Sequence, residues 1–238
     1  MRIFWYYLGL GVFLLAIYAC ARRNEKHKDC RETADLCVSR RKKRLQGIVF
    51  SCFIAFLLLF LLFPQKKSFE IDFLDVGQGD GIYLCTGGGT SMFIDGGSTD
   101  VKQVGKYRIL PFLKAKGVSE ISYWFVSHTD TDHVSGLKEV LVSGYRVEYL
   151  VFAKAVEKEA KTKELAELAR SHGTKVLYMQ AGDTVRSKRA AMRCLYPKAS
   201  DKAEDVNDLC LVLQFEEGDI SALFGGDIST DVEAVSYT

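Results

Sequence analysis

The sequence predicts an α/β (α+β) fold, a mixed sheet covered by helices, preceded by two transmembrane helices. Three observations predict it. Short runs that read as strands begin after Pro64, amphipathic helical stretches interleave with the later ones, and two long uncharged runs lie before Pro64. A meander of strands followed by strand–helix alternation is the pattern of a layered domain.

The elements follow in order. Glu70–Asp75 alternates apolar and polar residues at period two, as a half-buried strand does. Val76-Gly77-Gln78-Gly79-Asp80-Gly81 is a turn, whose glycines most simply supply positive φ. Ile82–Thr86 and Ser91–Asp95 are strands joined by Gly87-Gly88-Gly89, a hairpin signal. Val104–Lys116 reads as a helix stopped by Gly117. Ile121–Ser127 is apolar almost throughout, hence a central strand. Val134–Val142 is a short helix, Val147–Phe152 a strand, and Glu157–His172 a charged amphipathic helix closed by Gly173. Lys175–Met179, Ala190–Tyr196, Leu209–Phe215 and Ile220–Phe224 complete the strands. Thr230–Val235 begins a further helix, and one more turn-and-strand unit is expected after it.

The two apolar runs, 3–21 and 47–63, reach roughly 28 Å and 25 Å as helices, against a hydrocarbon core of about 30 Å. Arg44, Lys66 and Lys67 can snorkel to close the gap at the second, and Trp5, Tyr6 and Tyr7 suit an aromatic belt. A cleaved signal peptide is the rival reading of the first run, with Ile17-Tyr18-Ala19-Cys20 as its site. The loop 22–46 carries Arg40-Arg41-Lys42-Lys43-Arg44 and by the positive-inside rule faces the cytoplasm. Residues 64–238 then lie on the outer face of the cell membrane.

Net charge is +2, but it is unevenly spread: residues 21–47 hold ten Lys/Arg against four Asp/Glu, whereas 64–238 hold 21 against 26. The globular part is therefore mildly acidic, and charge alone gives no case for a nucleic-acid surface. The seven cysteines form no CxxC and no zinc-knuckle or disulfide spacing. Cys85 and Cys194 fall inside strands and read as small buried hydrophobes.

Ser127-His128-Thr129-Asp130-Thr131-Asp132-His133 packs two histidines and two aspartates directly after the strand Ile121–Val126. Carboxylates that close repel one another and are costly to desolvate unless a cation lies among them. The segment therefore reads as a metal site. Of the two remaining histidines, His27 falls in the basic loop and His172 in the last turn of a helix, where capping is the simpler role.

FLDVGQGDGIYL (73–84), FIDGG (93–97), SHTDTDHVSGL (127–137), Asn207 ahead of a strand, and LFGGDIS (223–229) occur in this order. Together they resemble the metallo-β-lactamase-like domain of the ComEC family, competence proteins that move DNA across the cell membrane. The resemblance covers nearly all of 64–235, and the two spans upstream are similar to the end of that family's channel. It implies an αββα sandwich, two divalent ions (Mn2+ or Zn2+, with Mg2+ as an option) and hydrolysis of phosphodiesters. Carried over, His128, Asp130, Asp132, His133 and Asp227 are metal ligands. Asp227 bridges the ions, and Asp132 and Asp227 carry the reaction. Asp95, Asp80 and Asn207 support them. The implied task is degradation of the DNA strand that is not imported. The implied partners are DNA, the membrane, the remaining channel helices and other competence proteins.

The chain departs from that family at its end, where relatives carry a further histidine motif. It is accordingly expected to be a C-terminally incomplete piece, weakly active or inactive alone. Asp130 stands where true β-lactamases have histidine, which makes the site harder and β-lactam hydrolysis an unsuitable activity. A tethered phosphoesterase for small diesters and a DNA-holding module without catalysis are the alternatives.

Overall fold

The structure, a computed structural model, describes residues 46–57, 68–202 and 206–228. The chain divides into two units, Met1–Pro64 and Gln65–Thr238. In the first, residues 46–57 form helix α1. Among the described residues no helix is long and apolar enough to cross a membrane. The expected span 3–21, the loop apart from Gln46, and residues 58–63 lie outside the described residues.

In the second unit, β1 (Glu70–Phe73), β2 (Gly81–Cys85), β3 (Ser91–Asp95), β4 (Glu120–Phe125), β5 (Arg146–Ala153) and β6 (Lys175–Met179) form one sheet in chain order. The first two junctions are antiparallel, and the remaining three are parallel. Parallel neighbours need crossover connections, and three helices supply them: α2 (Leu110–Ala115), α3 (Thr131–Val142) and α4 (Ala160–Ser171). A second, antiparallel sheet runs β10 (Ile220–Phe224), β9 (Val212–Glu217), β8 (Ala190–Tyr196), β7 (Thr184–Arg186).

Period-two alternation gives the first sheet two buried faces. Tyr83, Phe93 and Trp124 pack under the helices with Leu113, Leu137, Leu141 and Leu165. Phe93 and Trp124 stack with ring centroids 4.3 Å apart. Leu84, Met92, Ile94 and Phe125 face the second sheet and meet Met192, Cys194, Leu213 and Phe215. The order of layers is thus helices, sheet, sheet. Arg193, Gln214 and Glu216 point to the far side of the second sheet, and Arg193 and Glu216 are exposed. The outer helical layer of the expected αββα sandwich is not found among the described residues.

Local departures from the expected elements have physical causes. The helix expected over 104–116 is a π-helical turn, Gly105–Ile109, followed by α2. Pro111 has no N–H to give the ladder, and the chain loosens into a wider turn just before it. Helix α3 starts at Thr131 instead of Val134, because Asp130 is extended (φ −73°, ψ 158°) and the helix begins right after it. Asp132 and His133 therefore ride on a helical turn. Strand β7 is three residues long, too short for periodicity to show.

The loop before β2 and the loop after β3 press against the start of α3 at backbone distance. Asp80 N–H donates to the Asp132 carbonyl at 3.3 Å. A Cβ on Gly97 would lie 2.4 Å from the Asp132 carbonyl carbon and 2.5 Å from the His133 nitrogen. Backbone cannot retreat as a flexible side chain can. Gly97→Ala is accordingly expected to destabilise the domain by about 1–3 kcal/mol, read as a lowered urea midpoint with an unchanged m-value.

Candidate metal centre

Asp95 ends β3, where the chain breaks from the sheet with φ at 56°, a left-handed conformation rare outside glycine. Such backbone costs on the order of 1–3 kcal/mol and persists only where its surroundings fix it. Here the Trp124 indole N–H donates to the Asp95 carbonyl at 2.6 Å. The side chain is 1% exposed. Its Oδ1 accepts the Ser127 N–H at 2.8 Å, and its Oδ2 accepts the Ser127 hydroxyl at 2.7 Å. His133 Nδ1 is 3.1 Å from the same Oδ2. Several donors on one carboxylate offset the cost of burying it.

His133 Nε2 lies 3.2 Å from Asp227 Oδ2. Asp227 arrives on the turn after β10, which seats Gly226 against Ser127: a Cβ there would stand 2.9 Å from the Ser127 Cβ. His128 completes the cluster. Its ring centroid is 3.9 Å from that of His133, and its Nδ1 is 3.1 Å from Ser127 Oγ.

Burial pushes His133 down, but the hydrogen bond and charge of Asp95, with the charges of Asp227 and Asp132, overcome it and hold the imidazole up at about 9. Burial and the neighbouring His133 push His128 down, against the pull of Asp95, Asp227 and Asp130. Burial, and then Asp95, push the Asp80 carboxyl up. With Nδ1 committed to Asp95, a neutral His133 would aim its Nε2 lone pair at a carboxylate oxygen. The contact is favourable only with positive charge between the two atoms, either a proton or a metal ion.

The donors fit an ion. Two ligand atoms held about 2.0–2.2 Å from one cation, at tetrahedral or octahedral angles, stand roughly 2.8–3.6 Å apart, and the His133–Asp227 pair at 3.2 Å falls in that interval. His128, His133 and Asp227 offer ligand atoms all within 4.8 Å of one another, and Asp80, Asp95 and His133 form a second such group. Because Asp95 already engages His133 through Nδ1, the first group is the candidate centre and Asp95 its support. Two imidazoles and a carboxylate suit zinc, manganese or iron.

The sequence-predicted residues thus separate. His128, His133 and Asp227 come together, with Asp95 and Asp80 against them. Asp130 turns instead to Lys161, 2.8 Å away, and stands outside both groups. Asp132, half-buried on the first turn of α3, also stands outside both. Asn207 lies in the turn Val206–Leu209 ahead of β9. Sequence reasoning missed Ser127 and Lys161. Ser127 reads as an ordinary polar residue at a strand end, and Lys161 is the second residue of a helix with no spacing that ties it to the loop.

The chain is 28% identical to the ComE operon protein 3 of Bacillus subtilis over 214 residues, covering 83% of this chain and 27% of that protein. It is 31% identical to the Recombination protein 2 of Haemophilus influenzae over 106 residues, covering 44% of this chain and 13% of that protein. The chain therefore spans about a quarter or less of the length of these curated relatives. No family model matches it. Similar solved structures include a metallo-β-lactamase of Cronobacter sakazakii in a variant of its HARLDQ motif, with TM-score 0.46, 13% identity and coverage of 65% of this chain and 60% of that one. The metallo-β-lactamase fold protein YhfI of Bacillus subtilis is another, with TM-score 0.44, 14% identity and coverage of 62% and 55%. These structural likenesses are loose, and the layer order above stands on the strand pairing itself. The sequence matches bear out the resemblance drawn from the motifs: the chain is similar to proteins of the ComEC type.

Metal-free protein should show the His133 linkage directly. The folded imidazole is raised, so its stabilisation is complete below about pH 6.5 and is lost as pH rises through about 9. The difference between pH 6 and pH 10 is expected to be about 3 kcal/mol, measured by urea denaturation at each pH. Asp95→Asn should flatten the dependence.

Proposed function

We propose that the domain is a metal-dependent phosphodiesterase acting on DNA, the hydrolase part of a DNA-uptake protein that degrades the strand left outside. His128, His133 and Asp227 hold the cation in this reading. The observation that carries it is the contact of the buried His133 with the half-exposed Asp227, which needs positive charge between its atoms. A divalent ion held by these residues would lower the pKa of a water and neutralise charge on a phosphodiester.

The chain's own residues prepare that site. Asp95 holds His133 by Nδ1 and so presents Nε2. The strand end, the helix start and the β10 turn fix the three ligands on separate elements. Asp130 and Asp132, the other acids of the loop, are the ligands that a second ion would recruit. Using Asp130 requires breaking its pair with Lys161, which would free an ammonium beside the site for an anionic substrate.

The membrane placement is part of the same proposal. Helix α1 is uncharged, and Ile48, Val49 and Phe56 stand 60%, 63% and 66% exposed. Such a surface is unfavourable in water and suits lipid. The spans 3–21 and 47–63 then anchor the hydrolase domain on the outer face.

Labelled single-stranded DNA with added Mn2+ gives the test. Cleavage above the metal-free background is expected, weak for the chain alone. His133→Ala and Asp227→Asn should each abolish it, exceeding the roughly 10–100-fold loss typical of residues that only orient ligands. A chromogenic small diester cut faster than DNA would favour the small-substrate phosphoesterase, and tight DNA binding without cleavage after metal loading would favour a holding module.

A further inference from the structure

Among the described residues, the Ser127 side chain touches Asp95 and both histidines of the cluster. Its hydroxyl is 2.7 Å from Asp95 Oδ2, 3.1 Å from His128 Nδ1 and 3.4 Å from His133 Nδ1. It is 3% exposed. Its backbone is fully engaged as well: the N–H donates to Asp95 Oδ1, and the carbonyl accepts the N–H of Leu211, just ahead of β9, at 2.9 Å. The side chain thus has a fixed origin and little room to rotate, with Gly226 packed on its Cβ.

A hydroxyl has one proton to give. Two acceptors compete for it, the Asp95 carboxylate and the His128 Nδ1. The carboxylate is the stronger acceptor and the closer one, so the proton goes to Asp95. The serine oxygen is then left only with lone pairs toward His128, and the 3.1 Å contact is a hydrogen bond only if Nδ1 carries the proton.

We propose that Ser127 is a positioning residue: it relays the acceptor character of Asp95 to His128, fixing that ring as the Nδ1–H tautomer with Nε2 free to bind a cation. One buried acid then orients both histidines, His133 directly and His128 through a hydroxyl. The metal consequence rests on the reading of these histidines as ligands, whereas the tautomer itself is a property of the metal-free protein. The two can fail separately.

The experiment uses the full chain labelled with 15N-histidine, whose four histidines give a sparse spectrum. Long-range 1H–15N correlation on the unmodified, metal-free protein near pH 7.5 should show His128 neutral with a protonated Nδ1 and a bare Nε2. Ser127→Ala removes the acceptor and should shift His128 toward the Nε2–H form while amide dispersion is retained. Its affinity for Zn2+, measured by competition with a chromogenic chelator, should fall about 10–100-fold. A bare Nδ1 on His128 in the unmodified protein would overturn the relay outright, without recourse to any variant. An unaltered tautomer and Zn2+ affinity in Ser127→Ala would overturn it too. The expected tautomer with DNA cleavage absent would instead count against the proposed activity and leave the relay intact.

Discussion

A single buried carboxylate organises the centre of this domain. Asp95 takes hydrogen bonds from the backbone and hydroxyl of Ser127 and from the imidazole of His133. An acid so deeply buried would be costly if any of these donors were missing. The donors in turn gain a fixed orientation from it. The strained backbone of Asp95 fits this account, since a residue holds a left-handed φ against its preference only where the surroundings fix it. The Trp124 indole, stacked on Phe93 in the helix-side core, ties that backbone to the packing of the whole sheet.

The topology explains why the cluster forms at this end of the sheets. The carboxyl ends of the parallel strands β3 and β4 lie side by side, and the chain leaves each toward the helix layer. Asp95 is the last residue of β3, Ser127 stands two residues past the end of β4, and α3 begins at Thr131 with His133 in its first turn. The second sheet contributes from the other side. Leu211, on the segment entering β9, holds the Ser127 carbonyl, and the turn after β10 delivers Asp227. The centre is therefore a seam between two sheets. Its geometry depends on their mutual packing through Met92, Ile94, Leu213 and Phe215.

Much of this was legible in the sequence. Alternation marked β1, and a continuous apolar run marked the central strand β4, since burial on both faces leaves few polar positions. The seven-residue loop marked the centre because no packing argument explains two acids and two histidines there. What sequence could not show were the choices made by individual side chains. Asp130 and His128 are two residues apart in one loop, yet one turns to Lys161 on a distant helix and the other into the site. That division depends on where α4 lies in three dimensions. The role of Ser127 was equally hidden, because its partner Asp95 is 32 residues away and speaks through geometry alone. The split helix at Pro111 had a visible cause, but its close seat on α3, where a Cβ on Gly105 would lie 2.4 Å from the Gly136 carbonyl oxygen, had none.

The central claim is that the positive charge called for between His133 and Asp227 is supplied by a divalent cation. The most direct measurement is anomalous scattering from crystals of the protein grown with Zn2+ or Mn2+. The account expects a peak between His133 Nε2 and Asp227 Oδ2, with His128 among its ligands. An empty seam in a crystal whose fold is intact, with His133 and Asp227 still in direct contact, would contradict it.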